Sequence, residues 1–136
     1  MEMDVDYIYQ DDRLKTIKEH NKLLLMALSC VGHQKTKIAQ DYLDEASFCG
    51  LKAVKDNNQF YTKEIYSTYH KYYSAFKKIK YLDGAKWCLL QAAVHLKTLK
   101  LPKDKKIKVL ASILNKYEDL KGDVNEVKAK WQNPVE

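Results

Sequence analysis

The chain has 136 residues, with 24 Lys+Arg against 18 Asp+Glu for a formal net charge of +6, and 46% of its residues are hydrophobic. That length suits one domain and that apolar share supplies a core, so wholesale disorder is excluded. With 4 Gly and 2 Pro the chain lacks the turns of a sandwich or barrel, and its longest apolar run, Leu23 to Leu28, falls far short of the ~20 residues of a membrane span.

Apolar periodicity predicts helices throughout. The first runs from about Asp11 or Asp12 to Val31, with Leu14, Ile17, Leu24, Leu28 and Val31 on one stripe. Asp11 and Asp12 suit its positive end, and Gly32 with His33 forms its stop. The second spans about Thr36 to Asp56, with Ile38, Tyr42, Ala46, Cys49 and Ala53 on one face, and Asn57-Asn58 breaks it. The third, about Thr62 to Lys80, has the clearest pattern: Ile65, Tyr69, Tyr72, Tyr73 and Phe76, with Thr62 and Glu64 placed to start it.

The fourth, about Leu82 to Leu99, turns Ala85, Cys88, Leu89, Ala92 and Leu96 inward. After Pro102 the fifth runs from about Lys103 to Lys121, with Ile107, Leu110, Leu114 and Tyr117 as its seam. Gly122 interrupts it, and Val124 to Trp131 either extends it or forms a short sixth. No stretch sustains a period of two. The expected fold is all-α, five or six antiparallel helices, in a single domain over 1–131 with an acidic segment at 1–10 and a frayed tail at 132–136.

Two segments match without gaps. Tyr42-Leu43-Asp44-Glu45-Ala46-Ser47-Phe48-Cys49-Gly50-Leu51-Lys52-Ala53 and Tyr81-Leu82-Asp83-Gly84-Ala85-Lys86-Trp87-Cys88-Leu89-Leu90-Gln91-Ala92 are identical at seven of twelve positions, at an offset of 39 residues. That offset lies in the range of helical-hairpin repeats. Small Ala46 and Ala85 would let one helix approach its partner closely.

The segment from about Thr62 to Leu99 resembles a tetratricopeptide hairpin. Tyr69, Tyr72, Tyr73 and Phe76 take the four positions of W-x2-L-G-x2-Y, and Ala85 and Leu89 take those of A-x3-F. It departs from that pattern at Tyr73, where a small residue is usual. The resemblance implies two hairpins, a capping helix and a protein-binding role. Residues 72–121 are also similar in rhythm to a microtubule-interacting-and-transport domain, on Tyr81-Leu82-Asp83-Gly84-Ala85 and Lys116-Tyr117-Glu118-Asp119-Leu120-Lys121. Residues 37–50, Lys37-Ile38-Ala39-Gln40-Asp41-Tyr42-Leu43-Asp44-Glu45-Ala46-Ser47-Phe48-Cys49-Gly50, with Tyr61 and the lysines after Leu99, resemble the C-terminal homology domain of Lilliputian-type scaffolds of the super elongation complex. That last resemblance implies a helical dimeriser in a nuclear transcription scaffold.

Charge is unevenly placed. Residues 1–12 hold five acids and no base, so residues 13–136 carry a net +11, and 23 of the 24 basic residues are lysine. Lysine is a hydrated point charge, whereas reading base edges favours the arginine fork, so sequence-specific duplex recognition is poorly supplied. The densest basic run (Lys97, Lys100, Lys103, Lys105, Lys106 and Lys108) is either a solvated face or a non-specific nucleic-acid contact.

The sequence holds no catalytic constellation. His20, His33, His70 and His95 lack metal-binding spacing, and no phosphate-binding glycine motif occurs. Arg13 and His20 share the spacing of an R-x6-H motif in helical ribonuclease domains, with exposed surface as the plainer reading. Cys30, Cys49 and Cys88 are an odd number without CxxC spacing; Cys49 and Cys88 read as core residues, and the set suggests a reducing, intracellular compartment. The acidic start lacks the basic region of a secretory signal.

The expected function is therefore non-enzymatic: protein–protein interaction or dimerisation, without cofactor or metal. Leu23, Leu25 and Met26 lie beyond the first helix's stripe and offer an apolar patch to a second copy or a partner helix. Tyr61 and Tyr66 stand at its rim, since tyrosine is enriched at interfaces. Nucleic-acid binding through Lys97 to Lys108 is the alternative. The compartment is the nucleus if the scaffold resemblance holds, and otherwise the cytoplasm.

Overall fold

The computed structural model describes the backbone of residues 3–132 and the side chains of residues 13–132. The tail expected at 132–136 lies, past Gln132, outside the described residues. Among the described residues the fold is all-α: α1 (Met3–Gly32), α2 (Thr36–Ala53), a short 3-10 turn (Lys55–Asn57), α3 (Gln59–Lys78), α4 (Leu82–Thr98), α5 (Lys103–Asp119) and α6 (Val124–Gln132). The stretch after Gly122 is thus a helix of its own. By contact the chain divides into two compact units, Met1–Tyr61 and Thr62–Glu136.

In the first unit α1 and α2 form a hairpin whose backbones run close along each other. No Pro or Gly separates Met3 from Asp12, and α1 starts a little over two turns before the expected Asp11 or Asp12. Acids near a helix N-terminus favour that extension. The buried face of α1 is Ile17, His20, Leu23, Leu24 and Ala27. Leu14, expected on the stripe, is exposed. A count of apolar residues alone could not place His20 in the core, and without it the stripe is drawn one step round the helix.

The face of α2 is corrected in the same way. Ala39, Leu43, Ala46, Gly50 and Ala53 are buried, while Ile38 is exposed and Tyr42 and Cys49 are half-buried. Four of those five buried residues are Ala or Gly. Choosing the larger apolar residues points to the wrong side, because close helix approach selects the small ones. The turn at the hairpin tip uses Gln34 at φ 62°, not Gly32, in the left-handed conformation. After Ala53, Asp56 at φ 71° and Asn57 at φ 54° reverse the chain. Asn58 then accepts the Tyr61 N–H at 3.1 Å, and α3 starts at Gln59, one turn earlier than the expected Thr62.

In the second unit the faces of α3 and α4 are as the periodicity predicts. Ile65, Tyr69, Tyr72, Tyr73 and Phe76 are buried on α3, and Ala85, Cys88, Leu89, Ala92 and Leu96 on α4. Gly84, Ala93 and His95 are buried too, so α4 is covered on most of its circumference. Tyr69 stacks on His95 (5.5 Å, 24°) and meets Trp87 edge-on (5.5 Å, 77°). α4 also packs on α5 and α6.

The seam of α5 is Ile113 and Tyr117, continued by buried Leu120 at its C-cap, and the expected Ile107 is exposed, with Leu110 and Leu114 half-buried. Gly122 ends this segment through close approach: its N–H donates to Tyr117 O at 3.0 Å, and a Cβ there would run into the Tyr117 ring. Lys121, at φ 65°, takes the left-handed position beside it.

Candidate interaction surface

The two hairpin helices of the first unit present charged outer rows with apolar ends. On α1, Leu14 (44% exposed) and Leu25 (58%) are both solvent-facing. They stand eleven residues apart, which returns to nearly the same side of a helix about 16 Å further along. Between them Lys15, Lys18 and Lys22 are exposed. On α2, Ile38 (45% exposed) and Phe48 (71%) are separated by about 15 Å of helix. Between them lie exposed Asp41, Asp44 and Glu45. Asp44 accepts a hydrogen bond from Gln40 at 3.0 Å. Leu51 and Phe60 add exposed apolar area in the same unit.

The residues singled out from the sequence separate into two groups. Leu25 is exposed and Met26 and Tyr66 are half-buried. Leu23 (4% exposed) and Tyr61 (6%) are buried, which corrects their assignment to a partner-facing patch. Leu23 belongs to the buried face of α1. Tyr61 lies under the Arg13 guanidinium, 5.6 Å from its ring centroid, and meets Phe60 edge-on at 5.2 Å. Phe48 was missed as a surface residue. The signal for it was the small-residue face of α2, which places Phe48 on the opposite side.

The basic run divides by role. Lys100, Lys103, Lys105 and Lys108 are exposed and Lys97 is half-buried. Lys106 is structural, its Nζ donating to Lys97 O at 3.1 Å and so satisfying a carbonyl in the last turn of α4.

The Arg13–His20 spacing does not describe a reactive pair. Arg13 is tied to Asp56 at 2.8 Å. His20 has no exposed surface, which corrects the expectation of a surface histidine; its Nδ1 lies 2.9 Å from Asn21 Oδ1. Burial lowers its pKa, partly offset by the Asn21 hydrogen bond. Cys88 is buried, and burial pushes its thiol far up. Cys49 is only half-buried; burial and then Glu19 raise its pKa, with Glu45 adding and Lys52 opposing. Burial thus disfavours the thiolate form at both positions.

Among the described residues no three His, Cys, Asp or Glu side chains gather as a metal site, and no helix is long and apolar enough to cross a membrane. Compared with protein-family models, curated proteins and solved structures, the chain matches none.

Proposed function

We propose that this chain is a non-enzymatic helical module for protein–protein interaction within a larger assembly. The observation that carries the reading is the exposure of Leu14, Leu25, Ile38 and Phe48 on a hairpin whose core is already filled by other residues. Single exposed apolar side chains are ordinary; several, bracketing charged rows on adjacent helices, form the apolar-plus-polar mixture of an interface. The tetratricopeptide-like pattern on α3 and α4 supports the same class, and the resemblance to a transcription scaffold supplies a nuclear setting for it. The test is capture from a cell extract with the full chain and with the L25K/F48K double variant. A specific protein retained by the parent and lost by the variant supports the reading; identical capture by both overturns it.

The second reading is non-specific nucleic-acid binding, favoured by exposed Lys100, Lys103, Lys105 and Lys108 around the start of α5. Lysines at a helix N-terminus oppose the macrodipole, so an anion there would relieve a local cost. Binding to random RNA that falls steeply with added salt, and that K103E/K105E abolishes, would move weight to this reading.

A further inference from the structure

We infer that the outer face of α1 docks an acidic amphipathic helix of another protein, with Leu14 and Leu25 as apolar anchors and Lys18 and Lys22 as the charged centre. This rests on the interaction-module reading and names the partner's chemistry. At 100° per residue Leu14, Lys18, Lys22, Leu25 and Ser29 fall within about 80° of arc. All five are exposed, and the residues that α1 buries, Ile17, His20, Leu23, Leu24 and Ala27, centre on the opposite side. The stripe stays open to the end of the helix, where a Cβ added at Gly32 would meet nothing within 4 Å. From Leu14 to Gly32 it runs about 27 Å, or about five turns, the length of a partner helix of about 18 residues.

The charge of this ridge has one sign. Lys18 and Lys22 stand one turn apart, at the i,i+4 spacing where like charges repel. Among the described residues neither has a carboxylate partner. Lys15, at the edge of the arc, is already engaged and does not belong to the open row. Glu19 lies about 100° round the helix from Lys18, close enough to α2 to raise the Cys49 pKa. Asp41, Asp44 and Glu45 are exposed on the side of α2 away from its own buried face, so the hairpin does not neutralise the ridge from within. Carboxylates on a partner helix remove the repulsion between Lys18 and Lys22, and aliphatic side chains flanking them cover Leu14 and Leu25. A membrane surface asks for a broad apolar face, and the broad apolar face of α1 is already inside the hairpin. Nucleic acid asks for many phosphate contacts or for stacking rings, and this stripe holds two lysines and no aromatic residue.

The experiment titrates the full chain, followed by fluorescence anisotropy, against a labelled helical peptide carrying Leu-x3-Glu-x3-Glu-x2-Leu on an alanine and glutamine background. A second peptide carries lysine in place of both glutamates. The glutamate peptide should bind at least ~10-fold tighter than the lysine peptide, and less tightly as salt rises. K18E/K22E should reverse the preference. L25S keeps both lysines and should weaken the glutamate peptide about 5-fold through lost apolar burial. K103E/K105E, which changes α5 alone, should bind as the parent does. A variant that loses helical circular dichroism is replaced by K22E alone in the same scheme. Equal binding of the two peptides, binding of neither at millimolar concentration, or a preference removed by K103E/K105E and kept by K18E/K22E each overturn the inference. So does binding to phosphatidylserine vesicles or random RNA that K18E/K22E abolishes while the peptides show no preference. None of these results touches the capture comparison with L25K/F48K, so failure of the acidic-helix inference and failure of the interaction module are read separately.

Discussion

The Arg13 guanidinium donates to the Asp56 carboxylate at 2.8 Å across 43 residues of sequence, while its carbon rests 5.6 Å over the Tyr61 ring. The one arginine of the chain thus ties the middle of α1 to the turn that ends the α2 segment. Asp56 holds a left-handed φ of 71°, so the pair also fixes a conformation that L residues seldom adopt. Because Asp56 is largely exposed, solvent screens the pair and its contribution is small. R13A should lower stability by about 1 kcal/mol, with R13K recovering less than half because lysine lacks the planar fork. Denaturant midpoints for the two variants check this; equal midpoints for parent and R13A would contradict it.

Acid should weaken the fold through two histidines. Burial lowers the pKa of His20, and burial with the nearby Lys116 charge lowers that of His70. Both rings bind protons more readily in the unfolded chain, so their contribution is present above the ordinary histidine pKa of about 6.5 and lost as pH falls below it. Urea midpoints at about pH 7.5 and about pH 5.5 should show the loss. H70Q should flatten the slope between them, and an unchanged slope would contradict the assignment.

Overpacking tests the shared alanines. Ala46 and Ala85 are both fully buried, as are Ala53 and Ala92, the next matched small pair. A46L and A85L should each cost about 1–3 kcal/mol, read as a lowered thermal midpoint. The match in sequence does not extend to every environment. Leu43 is buried where Leu82 is exposed, and Tyr42 lies inside α2 where Tyr81 is the N-cap of α4. Tolerance of both leucines would remove the physical basis of the repeat.

The aromatic seam at the end of α5 sets a second packing test. Burial first, then the Glu126 carboxylate, by its charge and by accepting a hydrogen bond, and the Asp123 charge together raise the Tyr117 hydroxyl pKa to about 12. The Gly122 backbone lies against the same ring. G122A should displace Tyr117 and cost about 1–3 kcal/mol. K121G at the neighbouring left-handed position should be neutral or stabilise by up to about 1 kcal/mol. A G122A variant as stable as the parent would contradict the close contact.

How far the sequence could be read differed by helix. α3 and α4 were legible because large residues mark their buried faces: Tyr69, Tyr72, Phe76, Leu89 and Leu96 all recur at helical spacing. α1 and α2 are harder to read because parts of their buried faces are written in His20, Ala39 and Gly50, which carry little apolar weight. The outer surface is hidden for the same reason, since apolar weight draws Ile38 and Leu14 into the core and draws Phe48, the repeat counterpart of Trp87, into the groove between helices, whereas all three are exposed. Leu25 was legible as a surplus apolar residue on α1. The alternating brackets of apolar and charged residues became visible only once the helical faces were fixed.

Lysine footprinting of the full chain, alone and with the captured protein partner bound, tests the central claim most directly. With Lys18 and Lys22 on the α1 row and Lys103, Lys105 and Lys108 on α5, all exposed in one copy, acylation rates report both surfaces in one digest. The account predicts that Lys18 and Lys22 lose reactivity when the partner binds while Lys103, Lys105 and Lys108 keep theirs. Protection confined to the α5 lysines, or unchanged rates at Lys18 and Lys22, would contradict it.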